Sequence, residues 1–281
     1  MYVQEYIRRI LNIAANTDGR FFLIVEATNN KTYQVKFNVS NQKSNINEFI
    51  TSYIGKLINA PVLNGAFLTF TNKQITNIHK KINLNYPQIE LDMSDIKNNQ
   101  FFGIEWQDSL ITLETNSELE IMLTKINNKK EFYSLYPYDQ YLKNYDRHIG
   151  NHLILKDGKN LPSQYCLIDG DRIFGSLYWN KIEELTDNFS CLEIGVDWHK
   201  YLYGLVTENE YIFVLEYSLL IDEIKESDIE TLVSIILSIY NVDKKECAII
   251  KDYLEKRSKD FYAVCLNNST CFPQIIQRRL G

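Results

Sequence analysis

The chain has 281 residues, 45% hydrophobic and 13% aromatic, a composition that can bury a sizeable core and excludes general disorder. Its formal charge of −6 lacks the positive balance that holds a phosphate backbone, so direct nucleic-acid binding is not expected. No run of 18 or more apolar residues occurs and the N-terminal apolar stretch is short and interrupted, so neither a membrane span nor a signal peptide is expected, and the reading is a soluble, cytoplasmic protein.

In chain order, Tyr2, Ile7, Ile10, Leu11 and Ala14 recur at roughly helical spacing, which predicts a helix over 2–15 ended by Asn16-Thr17-Asp18-Gly19. RFFLIVEAT and KTYQVKFNV read as two strands of a hairpin turning at Asn29-Asn30. Ser44 and Asn47 precede EFITSYIGKLINA, where Phe49, Ile50, Tyr53, Ile54 and Leu57 line one helical face; the helix is expected to stop before Pro61. GAFLTF is a third strand, a helix starts near Asn72, and FFGIEW and SLITLE are further strands. From Glu131 the helical period dominates, in EFYSLYPYDQYLKNY, TLVSIILSIY and KKECAIIKDYLEKRSKDFYAV. No linker or repeat separates the two parts, so they are expected to pack on each other as lobes. Five cysteines (Cys166, Cys191, Cys247, Cys265, Cys271) are odd in number, scattered and never in CxxC, which favours buried free thiols over disulfides or a zinc knuckle.

The densest polar cluster is YDRHIGNH, Tyr145 to His152, followed fourteen residues on by CLIDGDRIFG. Zinc is a weak reading: His148 and His152 are four apart, but Gly150 lies between them and the glutamate of an HExxH base is missing. Taken singly, Asp146, Asn151 and the Asp169-Gly170-Asp171 group are more often turn residues that bond their own backbone. As a set they match phosphoryl transfer, which needs one acidic group to orient or deprotonate the attacking hydroxyl and hard oxygen ligands to hold Mg²⁺. Asp146 suits the first role, and Asn151 and Asp169 the second. The hairpin of HLILK and YCLID returns Asp169 to the edge occupied by the loop.

YDQYLKNYDRHIGNHLIL with LIDGDRIF resembles the catalytic core of HipA-like kinases, whose pattern runs roughly fDqwhxNxDRHxxNhh and then hhIDhGxxF. Asp-Arg-His-x-x-Asn is also similar to the phosphatidylinositol kinases. Upstream, FFLIVEATNNKTYQVKFNV resembles the strand pair that ends in the ATP-contacting lysine, and NEFITSYIGKLINAPV the helix after it. The helix with Glu255 to Arg257 resembles the family's closing Leu-x-x-Arg helix.

The resemblance implies an α+β, two-lobed protein-kinase-like fold, with a small β-containing lobe over 1–110 and a mainly helical lobe over 111–281. It implies ATP and Mg²⁺ as cofactors, with Lys36 braced by Glu48 at the phosphates and Thr17 and Gly19 in the nucleotide loop. Asp146 becomes the base, Asn151 and Asp169 the metal ligands, and Asp139, Asn144 and His148 the supports of the loop. Asp171 stands at a glycine-like position, so the choice between Asp169 and Asp171 as main ligand stays open. The implied acceptor is a protein Ser or Thr; members of the family often act as the toxin of a toxin–antitoxin pair, so the implied partner protein is an antitoxin. A kinase of small molecules or lipids and a non-catalytic binding module are the alternatives, the latter favoured by the single glycine of the loop at 16–20.

Overall fold

The computed structural model describes residues 2–15, 21–37, 42–87, 99–144, 146–156, 163–175, 179, 182–185, 201–202 and 204–267. Among these, strands gather in the N-terminal part and helices in the C-terminal part. Strands β1 (Gln4–Ala15), β2 (Phe21–Ala27), β3 (Thr32–Phe37), β4 (Gly65–Thr69) and β5 (Gln100–Glu105) close a barrel in the order β1-β2-β3-β5-β4. The barrel closes where β1 runs parallel to β4, with Gln4 opposite Phe67. Period-2 alternation fills it: Phe21, Leu23, Val25, Tyr33, Val35 and Phe37 share its apolar interior with Ala66, Leu68 and Phe101. Helix α1 (Lys43–Leu57) lies between β3 and β4, and α2 (Asn72–Asn85) adds Ile75, Ile78 and Ile82 to the interior cluster.

The helix expected over 2–15 is a strand. Its pairing with β2 is interrupted by two bulges, between Ile7 and Arg9 and between Ile10 and Asn12. Each bulge inserts one residue, so the side chains facing the core fall at Ile7, Ile10 and Ile13, three apart instead of two. A doubly bulged strand therefore imitates a helical repeat. The start of α1 also differs: it begins at Lys43 after Gln42, so Ser44 and Asn47 lie inside the helix, buried, and not before it.

Strands β6 (Leu110–Thr112), β7 (His152–Leu155) and β8 (Gln164–Leu167) form a second, antiparallel sheet. Helices α3 (Asn116–Leu123), α4 (Lys129–Phe132) and α5 (Leu135–Leu142) run between β6 and β7. Helices α6 (Glu208–Asp222), α7 (Glu226–Ile239), α8 (Lys244–Ser258) and α9 (Phe261–Asn267) follow. The run KKECAIIKDYLEKRSKDFYAV is split between α8 and α9 at Asp260, whose φ is 60°. One apolar cluster joins Phe49, Ile50 and Ile54 of α1, Phe67 and Phe102 on the outside of the barrel, and Tyr141, Leu254 and Phe261 of the helices. Cys166, Cys247 and Cys265 are buried free thiols; Cys191 and Cys271 lie outside the described residues. No helix among the described residues is long and apolar enough to cross a membrane.

Helix α6 shows how its N-terminus is fixed. Thr207 donates to the Glu210 carboxylate through its backbone N–H (3.1 Å) and its hydroxyl (2.8 Å), and Lys129 Nζ lies 2.7 Å from Glu210 Oε1. Partial burial would raise the Glu210 carboxyl, but the hydrogen bonds from Lys129, Tyr133 and Thr207 outweigh it and lower the pKa from 4.5 to about 2. A carboxyl depressed by folding adds stability above its unfolded value and loses it as pH falls through the folded one. Stability is therefore expected to decline between pH 4.5 and about 2. Glu210→Gln should flatten that part of the curve in urea unfolding measured across pH; an unchanged slope would show that the hydrogen bonds are not maintained.

Candidate active site

Alternation along β3 sends Tyr33, Val35 and Phe37 into the barrel and places Lys36 on the opposite face, toward α1. There its Nζ lies 2.5 Å from Glu48 Oε1 and 2.9 Å from Asp171 Oδ2, and it donates to Asp169 Oδ1. Glu48 stands in the second turn of α1, 6% exposed, so it is not a cap. Burial works against the Lys36 charge, but Asp169, Glu48 and Asp171 more than offset it and hold the ammonium above its ordinary pKa. For Glu48 burial dominates and pushes the carboxyl up; Lys36 opposes this while Asp169 and Asp171 add to it.

Three carboxylates thus share one ammonium, an excess of negative charge in a buried place. Oxygens of Glu48, Asp169 and Asp171 lie within 4.8 Å of one another. The donor set holds no sulfur or imidazole, which fits a hard divalent cation such as Mg²⁺ and not zinc.

The loop after α5 is anchored from within. Lys143 closes the helix in a left-handed conformation (φ 53°), and Asn144 N–H donates to the Asp139 carbonyl at 2.8 Å. The Asp139 carboxylate accepts from Arg147 Nε (2.9 Å), Arg147 Nη2 (2.7 Å) and Asn144 Nδ2 (3.1 Å). Arg147 is 2% exposed and donates through Nη1 to the Ile168 carbonyl at 2.7 Å, which ties the loop to the end of β8. Asn144 Oδ1 accepts from Asp146 N–H at 3.3 Å. His148 Nδ1 accepts from Gly150 N–H (3.2 Å), and the His148 backbone N–H donates to Asn151 Oδ1 (2.9 Å).

Asn151 is buried, and its carbonyl accepts from Ile168 N–H at 3.2 Å. The groups gathered on Lys36 are Glu48, Asp169 and Asp171, while the Asn151 side-chain oxygen is engaged in its own turn. Asp146 is one-third exposed, with Oδ2 at 3.3 Å from Arg172 Nε. Thr17 and Gly19 lie outside the described residues.

Several residues that place the acidic turn are not apparent in the sequence pattern. Asn47, which reads as a capping residue, donates through Nδ2 to the Asp171 carbonyl at 2.6 Å and accepts from Trp179 Nε1 at 2.7 Å. Tyr138 OH donates to the Thr51 carbonyl at 2.7 Å. Asp169 itself has φ 61°, in the left-handed region. Gly170 next to it touches α1 so closely that a Cβ would lie 2.2 Å from Thr51 Cγ2 and 2.6 Å from Thr51 Cβ. Gly170→Ala must therefore push the turn off α1. We expect a loss of about 1–3 kcal/mol in urea unfolding; unchanged stability would mean that the turn does not seat against α1.

No family model matches the sequence, and a search of curated proteins finds no match. Among solved structures, the Helicobacter pylori proinflammatory kinase CtkA superposes with a TM-score of 0.56 at 15% identity, over 94% of this chain and 96% of that one. A chain from the Shewanella oneidensis toxin–antitoxin complex of HipA, HipB and operator DNA aligns at a TM-score of 0.40 and 10% identity, over 92% of this chain and 63% of that one. The resemblance to HipA-like kinases read from the sequence meets a kinase fold in three dimensions: this chain shares the fold of CtkA over nearly the whole length of both.

Proposed function

We propose that the chain is an ATP- and Mg²⁺-dependent phosphotransferase that modifies Ser or Thr of a protein. Its domain is two-lobed, with the small lobe over 1–110 and the larger over 111–281. The observation that carries this reading is the meeting of Lys36 from β3, Glu48 from α1 and Asp169 and Asp171 from the end of β8, groups up to 135 positions apart in the sequence, around one buried charge centre.

In phosphoryl transfer the protein contributes mainly position and charge. Lys36, held by Glu48, contacts the ATP phosphates; Thr17 and Gly19, outside the described residues, keep the nucleotide-binding role that the sequence resemblance implies. Asp169 and Asn151 would hold Mg²⁺, with Asp171 beside them. When bound, the metal neutralises charge on the phosphates. Asp146 receives the acceptor's proton as the hydroxyl oxygen bonds to the γ-phosphorus and the bond to the bridging oxygen of ADP breaks. Asp139, Asn144, Arg147 and His148 keep the loop in shape for that step.

The sequence resemblance carries the wider reading of a growth-inhibiting toxin restrained by an antitoxin protein. Incubation with γ-labelled ATP and Mg²⁺, beside phosphoproteomics of cells with and without induced expression, tests both levels. New phosphoserine or phosphothreonine on a small set of proteins is expected. Label appearing only on small molecules would replace the acceptor class, and no consumption of ATP would end the proposal.

A further inference from the structure

A cavity of about 590 Å³ opens between the barrel, α1 and α7, and none of the carboxylates gathered on Lys36 lines it. Its volume falls within the range of roughly 300–1,000 Å³ in which small molecules are bound. Three rings and three aliphatic side chains form the walls: Tyr2 ahead of β1, Tyr53 and Leu57 of α1, Phe67 of β4, and Ile235 and Ile239 of α7.

These walls are held by the fold. Tyr2 OH donates to Ser52 Oγ at 3.0 Å, and Tyr53 OH donates to the Asp228 carbonyl of α7 at 3.0 Å, so both phenol groups are engaged and their rings are fixed. The Tyr2 and Tyr53 rings are stacked, with centroids 6.3 Å apart, and Tyr2 meets Phe67 at 6.2 Å in an edge arrangement. An apolar surface built in advance costs a ligand little reorganisation.

The electrostatics of the cavity are one-sided. Lys56 is the charged residue of its lining, and no carboxylate belongs to that lining. Lys56 Nζ lies 4.2 Å from the centroid of the Tyr2 ring. Burial lowers the Lys56 pKa, and the charge of Glu105, itself bonded to Lys31, opposes this only in part. A cationic ligand would meet repulsion here, and a triphosphate brings more negative charge than one ammonium offsets. The lining suits an apolar body that ends in a single negative group.

We propose that this cavity is a ligand site of its own and takes an amphipathic monocarboxylate, with an aryl or alkyl body among the rings and the carboxylate on Lys56. The assignment stands independently of the phosphotransferase reading, because the cavity shares no residue with the charge centre at Lys36.

The test is calorimetric titration of the full chain with 2-naphthoate and with dodecanoate, each beside its neutral amide. At least one acid should bind at a single site, and the tighter of the two identifies a ring or a chain as the preferred body. Its amide should bind about tenfold more weakly, since the amide forgoes the charged contact. Lys56→Met keeps the apolar stem and should remove the difference between acid and amide. Ser238→Trp, at an exposed position of the lining, should abolish binding by filling the cavity, with urea unfolding to show that both variants are folded. Failure of the wild-type chain to bind either acid, equal affinity for acid and amide, an acid preference that survives in Lys56→Met, or binding indifferent to Ser238→Trp would overturn the inference.

Discussion

Asp146→Asn and Asp169→Ala should each reduce phosphoryl transfer to near background while leaving the chain folded. Asp146 is one-third exposed, and among the described residues its side chain contacts Arg172, an exposed pair on which little stability depends. Loss of the proposed base should lower the rate about 10²–10⁴-fold. Asp169 contributes to the charge centre at Lys36, where Glu48 and Asp171 remain as partners when it is removed. Its replacement removes a proposed metal ligand without leaving the lysine unpaired, so the defect should appear in turnover and in the metal dependence of nucleotide binding. Single-turnover assays with γ-labelled ATP, paired with urea unfolding, separate the two effects. Wild-type turnover in both variants would contradict the assignment.

Asp139→Ala should be the most destabilising of the loop substitutions. It leaves the Arg147 guanidinium buried with only the Ile168 carbonyl from its present set of acceptors, and it removes the partner of Asn144 Nδ2. Removing one member of a buried ion pair costs about 3–5 kcal/mol, and Arg147 cannot escape by losing its proton, because a guanidinium stays protonated in proteins. Replacing both members by apolar residues, as in Asp139→Leu with Arg147→Met, should cost less than either single change, because no charge is then stranded. A double variant as unstable as the sum of the singles would show that the two residues act independently. Activity should fall in each of these variants, because the carbonyl of Ile168, directly before Asp169, loses its orienting donor or the loop loses its anchor.

Much of the site was legible because its chemistry is local in sequence. The segment from Asp139 to Asn151 spans thirteen positions, and the hydrogen bonds within it join residues two to eight apart. The meeting of Lys36 with Glu48 follows from a strand that faces one side of the next helix, a relation that period-2 alternation makes visible. The contact between Lys36 and Asp169, 133 positions apart, has no local signature, and only the family pattern places the two residues in one site.

What was not legible failed for physical reasons. Two bulges gave β1 a three-residue spacing of core positions. Asn47 serves the Asp171 carbonyl and Trp179, distant partners that leave no trace in the neighbouring residues. Arg172 sits inside a motif whose aspartates draw the eye, and its contact with Asp146 spans 26 positions.

The central claim is that Asp169 and Asn151, with Asp171 beside them, would hold one divalent cation beside a bound triphosphate. Calorimetric titration with a non-hydrolysable ATP analogue, with and without Mg²⁺, addresses it most directly. The account predicts one nucleotide site whose affinity rises at least about tenfold with Mg²⁺ in the wild-type chain, and loss of that gain in Asp169→Ala. Nucleotide binding that ignores the metal in the wild type, or a metal effect that survives in Asp169→Ala, would contradict it.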